Sequence, residues 1–338
     1  MNSAKTRSAA IDLVRVVAII GVVARHTWYD PDGIVAQVVC PWAIAVFFVL
    51  SGYLWKADRA LATEVRNRWR GLLIPYAVWV PLIAIPYFIW AFHEYDPAFA
   101  ATLVVGVGYG GKFAVAPFSA CWFFTTMFFA AVYMRYLERY SRRVTWLVIV
   151  LTLVVTCTAP LALKYGPLGM TLALPCMLFI VLGQELRRRR DRINRPGLVG
   201  LGLVGVGAVA VALGASHDLN GDLIEIKNSM YGYPIAGLVS GALIGLGLIL
   251  LAESCDPFVP KAVRPGITEA ASTATFVMFL HPCILFLMRG AEAEGSWPQF
   301  LLALFVPYAL GTALIRMRAL PWLTGVWAPR QPSLPVST

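Results

Sequence analysis

The chain has 338 residues, 59% of them hydrophobic and only 14% charged, with a formal net charge of +10. A soluble domain carries about 25% charged residues, so the composition excludes a soluble protein of one or several domains and indicates a polytopic membrane protein. The positive excess gathers at the ends of apolar segments, which makes it a membrane-topology signal rather than a sign of nucleic acid.

In chain order, apolar segments long enough to cross roughly 30 Å of hydrocarbon as helices fall at 11–28, 38–55, 71–92, 118–136, 144–162, 168–186, 197–214, 233–252, 271–289 and 298–318. They predict an all-α integral membrane protein with about ten transmembrane helices, one domain over 1–330 and a short cytoplasmic tail at 331–338. The start imitates a signal peptide, but its apolar run carries Asp12, Arg15 and His26 and no convincing small-x-small cleavage site follows. It reads as the first span. Residues 93–117 are too glycine-rich for a span and too long for a tight turn, and are expected to form a partly inserted outer loop.

One set of ends and loops holds 22 Lys and Arg, whereas the opposite set holds only Lys112, Lys164, Lys227 and Arg289. The positive-inside rule then puts both termini in the cytoplasm of a cell with this protein in its inner (plasma) membrane.

The first segment carries four polar or ionisable groups where each is costly. At 100° per residue, Arg15 and His26 are roughly 20° from alignment and about 16 Å apart along the axis, and Asp12 falls on the same stripe. Arg25 lies about 100° away from His26. Arg15 alone could merely snorkel to the interface with Asp12 as its pair. The deep histidine on the same stripe indicates a site instead, because intramembrane ionisable groups face bundle interiors or cavities.

Other features carry less. Gly200, Gly202 and Gly205 match a dinucleotide fingerprint, but no strand precedes them and close helix packing accounts for them. Arg187 to Arg190 read as a topology anchor. His281 precedes Pro282 inside a span, where it is either structural or on the cavity of His26. Ser51 and Gly52 lack the G-x-S-x-G context of a nucleophile and read as a backbone feature where the second span bends. Trp122 suits either the border of a substrate tunnel or an interfacial aromatic belt. His93 and His217 are scattered beside acidic residues and form no metal site. The six cysteines, Cys40, Cys121, Cys157, Cys176, Cys255 and Cys283, stand singly in apolar runs and read as small core residues.

R-x10-H in the first span, with Asp three residues before the Arg, resembles the membrane-bound acyltransferase family 3. So do "FFVLSGYLW" (47–55), "RNRWRGLLIPYAVW" (66–79), "CWFF" (121–124) and "TATFVMFLHP" (273–282), in the family's order. That family commonly pairs arginines three apart in the basic segment. Here Arg66, Arg68 and Arg70 alternate, and all three are candidates. No esterase-like domain of the kind fused to some members is expected after the tenth span.

The resemblance implies transfer of an acyl group, most often acetyl, from cytoplasmic acyl-CoA to a hydroxyl of a sugar or other membrane-associated acceptor, with no bound cofactor. Arg66, Arg68 and Arg70, with Arg15 nearby, suit the donor's phosphates. His26 suits a general base or an acyl-accepting nucleophile. The rival readings are a transporter or flippase, since intramembrane charges also mark transport pathways, and a non-catalytic membrane partner. A reporter fused after Thr338 should report cytoplasm and one inserted at Asp222 the outside; a cytoplasmic signal at Asp222 would show that the spans are miscounted.

Overall fold

The computed structural model describes residues 8–30, 33–216, 225–232, 235–288 and 295–327. His217, Arg289 and the tail 331–338 lie outside them. The described chain is a helical bundle whose one β feature is an isolated antiparallel bridge between Glu225 and Met230. Its helices are α1 (Ala9–Thr27), α2 (Ile34–Ala43), α3 (Ala45–Tyr53), α4 (Leu61–Arg68), α5 (Ile74–Glu94), α6 (Pro97–Tyr109), α7 (Trp122–Leu137) and α8 (Arg142–Thr158). They continue as α9 (Pro160–Lys164), α10 (Ala173–Arg189), α11 (Pro196–Ser216), α12 (Ala236–Cys255), α13 (Arg264–Ser272), α14 (Ala274–Met288), α15 (Trp297–Arg316) and α16 (Pro321–Thr324).

Each of the ten predicted segments is a helix or a broken helix, and the protein is an all-α polytopic membrane protein. Among the described residues six helices are long and apolar enough to cross a membrane unaided, or seven when α13 and α14, bent by 60°, count as one span. Of the other three segments, α1 carries Asp12, Arg15 and Arg25, and α7 and α8 have 16 and 17 residues.

Two boundaries depart from expectation. The second span breaks at Ile44, between α2 and α3, after Pro41 has interrupted the backbone ladder; Ser51 and Gly52 lie within continuous helix. The segment 93–117 is not a loop throughout. Asp96 caps α6 by accepting from the Ala98 amide at 2.9 Å, with Pro97 at the first helical position, a helix-start signal that its glycines obscure. At 13 residues α6 is about 20 Å long, too short to cross. Gly110 and Gly111, both at positive φ, then turn the chain back toward α7.

Helix α1 packs against α2, α3, α12, α13, α14 and α15. Only Leu13, Val17 and Ile20, spaced as one face of a helix, form its exposed apolar stripe. Its first turn is held from outside. The Asp256 carboxylate accepts from the Ala10 amide at 3.1 Å and from the Ser8 hydroxyl at 3.0 Å, which satisfies donors that no helical carbonyl reaches.

Small residues set two close contacts. A Cβ on Gly52 would stand 1.9 Å from the Ile180 carbonyl oxygen, and one on Gly183 2.1 Å from that of Val49, so α3 and α10 meet backbone to backbone. In the α11–α12 pair a Cβ on Gly200 would lie 2.8 Å from the Gly247 carbonyl oxygen, whereas Gly202 and Gly205 meet nothing within 4 Å. Gly52→Ala should therefore destabilise the detergent-solubilised protein by about 1–3 kcal/mol through overpacking. Gly205→Ala should be neutral or stabilising by up to about 1 kcal/mol through helix propensity. Thermal melts of both variants check this, and equal melting temperatures would refute the close-packing role of Gly52.

Candidate functional site

Two cavities open along α1. One, of about 350 Å³, is lined by Arg15, Ser51, Arg68, Phe124 and Thr275 among others. The second, of about 320 Å³, is lined by Arg25, His26, Ser119, Trp122, Glu225 and Lys227 among others. Phe123 and Met278 line both, so one layer of side chains divides them.

The first cavity is the arginine-rich one. Asp12, 1% exposed, accepts from Arg15 Nη1 at 2.8 Å, and this pair holds Arg15 on the cavity wall. Arg68 sits between three partners: its Nε reaches Glu64 Oε1 at 2.7 Å, its Nη2 donates to the Ser51 hydroxyl at 2.8 Å, and its guanidinium lies over the Trp55 ring. The buried Glu64 also accepts from Arg59 Nη1 at 2.6 Å and has Arg135 Nη2 at 3.9 Å. Arg135 lies over the same Trp55 ring and donates to the Lys56 and Ala57 carbonyls. One carboxylate thus ties α4, α7 and the turn after α3 around Arg68.

The other two arginines go elsewhere. Arg66 is exposed and lines neither cavity. Arg70 stacks on Trp327, whose indole N–H donates to the Arg70 carbonyl at 3.0 Å. Near this end Arg187 lies over Tyr53, Arg190 pairs with Glu253, and Arg188 with Glu185.

In the second cavity His26 Nδ1 is 3.3 Å from the Ser119 hydroxyl. Its ring meets that of His281 edge-on, centroids 5.0 Å apart. His281 is fully buried and lines neither cavity. Its Nδ1 is 2.8 Å from the Val277 carbonyl oxygen, a partner that can only accept, so Nδ1 carries the proton and Nε2 the lone pair.

Arg25, off the stripe by helix geometry, lines this cavity as well. Its Nε donates to Cys40 Sγ at 3.1 Å and its Nη1 to the Tyr29 carbonyl at 3.2 Å. Lys227, in a 3-10 turn over Ile226–Asn228, donates to the Ala114 carbonyl at 2.7 Å. Burial lowers its ammonium to about 8, against a smaller opposing effect of the Glu225 carboxylate.

Asp12, Arg15, Ser51 and Arg68 thus share one neighbourhood, and His26, His281 and Trp122 another. Residues 8–316 match the family model for the acyltransferase 3 domain. The chain belongs to that family. Neither a curated protein nor a solved structure matches it.

With the family shown, the protein is a membrane acyltransferase, and the transporter and flippase readings are set aside. Sequence reasoning missed Glu64, although its spacing of four from Arg68 is a helical ion-pair signal. It also passed over Phe123 and Met278, which only the fold brings together, and counted Lys227 as a loop charge.

The acyltransferase's Glu64 offers a direct test of this network. Glu64→Gln leaves three arginines without their shared carboxylate and should lower stability by about 2 kcal/mol. That is less than for a fully buried pair, because water reaches Arg59 and Arg68. Thermal unfolding in detergent reads the effect; an unchanged melt would mean that Glu64 braces nothing.

Proposed function

We propose that this acyltransferase moves an acyl group, acetyl by its family resemblance, from cytoplasmic acyl-CoA to a hydroxyl of a carbohydrate or other membrane-associated acceptor on the far side of the bilayer. The observation that carries this reading is the division of α1: Arg15 opens into one cavity and His26 into the other, about 16 Å apart along the helix. An acyl-CoA is anionic at one end and reactive at the other, joined by a slender arm of comparable length. Its phosphates meet Arg68 and Arg15, fixed by Glu64 and Asp12. The thioester passes Phe123 and Met278 and reaches His26.

In the transfer step His26 takes the proton of the acceptor hydroxyl. The oxygen attacks the thioester carbonyl, the carbon–sulfur bond breaks, and the imidazolium returns the proton to the departing thiolate. When Ser119 accepts from Nδ1–H, Nε2 of His26 carries the lone pair that acts as base. His281, edge-on beneath it, limits the tilt of the ring and serves as a positioning residue. In this reading both termini lie in the cytoplasm and the membrane is the inner one, in keeping with the concentration of Lys and Arg at the Arg68 end.

Two variants divide the roles. His26→Ala should lower single-turnover acetyl transfer by about 10²–10⁴ while acetyl-CoA still binds. Arg68→Ala should weaken acetyl-CoA binding, by up to about 2–3 kcal/mol, with a smaller effect on turnover at saturation. Near-normal transfer in His26→Ala would remove it from the chemistry, and an acid-labile acyl-enzyme, trapped by a denaturing quench near neutral pH and absent from His26→Ala, would make His26 the nucleophile rather than the base.

A further inference from the structure

The second cavity holds more positive charge than the transfer chemistry uses. Arg25 and Lys227 both line it, and the described lining includes one carboxylate, Glu225. The partners of Arg25 are the Cys40 sulfur, the carbonyls of Trp28 and Tyr29, and the Tyr29 ring, 5.1 Å from its guanidinium carbon. Lys227 is partly buried and donates to the Ala114 carbonyl. Glu225 accepts from the Asn228 side chain at 2.7 Å. Among the described residues neither cation makes an ion pair with a carboxylate. Two cations face one carboxylate, which with a neutral His26 leaves a formal excess of one positive charge in a cavity whose other walls are mainly apolar, Val22, Val39, Ala43 and Ile44 among them.

A cation held at such a wall without a carboxylate partner is costly. Burial that lowers the Lys227 ammonium to about 8 is a sign of that cost, yet at neutral pH the group remains mostly charged. The arrangement is stabilised when a ligand brings the missing negative charge. The two cations differ in form: the guanidinium of Arg25 is a planar fork, and the ammonium of Lys227 a point charge with two further N–H donors.

We propose that this cavity recognises its acceptor through an anionic group, a carboxylate or a phosphate, held by Lys227 and Arg25, so that the substrate hydroxyl belongs to an acidic molecule. The proposal rests on the acyltransferase reading for the word acceptor, but the binding site stands on the cavity. With its anion held there, the acceptor is pinned at one end and offers a hydroxyl to His26 on the same wall. Trp122 supplies an aromatic face of the kind that a sugar ring packs against.

The test is ligand binding by thermal shift on the purified full chain in detergent at fixed ionic strength. The probes are methyl β-glucuronide, its neutral counterpart methyl β-glucoside, and glucose 1-phosphate. At least one of the two anionic probes should bind roughly ten- to hundredfold more tightly than the glucoside, and which one does so distinguishes carboxylate from phosphate. Lys227→Met should lose that preference and Lys227→Arg should keep most of it. Arg25→Gln serves as a second removal of charge should Lys227→Met fold poorly. Lys164→Gln takes a cation from outside the cavity and should leave the preference intact. Equal binding of glucoside and anions, no binding of either anion, or an undiminished preference in both Lys227→Met and Arg25→Gln would each overturn the proposal. Failure of the transferase reading shows separately, as absence of transfer from acetyl-CoA to any acceptor by the unaltered protein.

Discussion

The Asp12–Arg15 pair governs where the first helix can lie. A carboxylate and a guanidinium on one face of a membrane helix cannot meet lipid without a cost of several kcal/mol. That face must turn inward, and α1 does so, leaving only the narrow stripe of Leu13, Val17 and Ile20 exposed. Everything eleven residues further on follows from the rigidity of the helix. His26 must also face inward, at the other end of the bundle. One helix therefore fixes the separation of the two cavities, and no loop has to be positioned for it.

The two cavities treat charge in opposite ways. In the first, each cation on the wall already has a carboxylate: Asp12 for Arg15, and Glu64 for Arg68. Such a site is ordered before any ligand arrives, and in the proposed function the donor's phosphates would meet guanidinium groups whose geometry is already set. In the second, Arg25 and Lys227 rest on carbonyls, a sulfur atom and the Tyr29 ring, which orient them but do not neutralise them. A carbonyl oxygen balances only part of a full charge. The contrast fits one anionic ligand of high charge on a pre-organised surface and another whose charge completes the site.

Much of this arrangement is legible in the sequence, and the reasons for success and failure are local. Apolar length marks all ten helical segments because hydrocarbon tolerates little else. The stripe of Asp12, Arg15 and His26 is legible because a straight helix obeys 100° per residue. The same arithmetic separates part of the basic segment: residues two apart lie about 200° apart on an α-helix, and Arg66 lines neither cavity while Arg68 lines the first. Arg70, which lines neither as well, falls in a π-helical stretch over Trp69–Leu73. Treating the three arginines as equivalent overlooked that geometry. The contact of His26 with His281 is a different case. It joins residues 255 apart in sequence through the packing of α1 on α14, and no local pattern encodes it. The same holds for Lys227, which a 3-10 turn between two spans carries to the cavity.

In the proposed function the reactive centre is reached from both ends and must not become a pore, and Phe123 and Met278, which line both cavities, stand between the two approaches. Phe123 is wedged by aromatic neighbours, with Phe47, Phe48 and Phe124 at ring separations of 5.4, 5.8 and 5.5 Å. Met278 lies on α14 one turn before His281, on a helix backed by Phe279 stacked on Phe124 at 4.1 Å and on Trp79 at 5.7 Å. The two sides of the partition are therefore unequal. A phenylalanine held in a cluster of rings has few alternative rotamers, whereas an unbranched thioether has three rotatable bonds and adapts at little cost. Under the proposed function a small acyl group would pass between these two residues while bulk water stays out, and Met278 lies one turn from His281, whose ring meets that of His26.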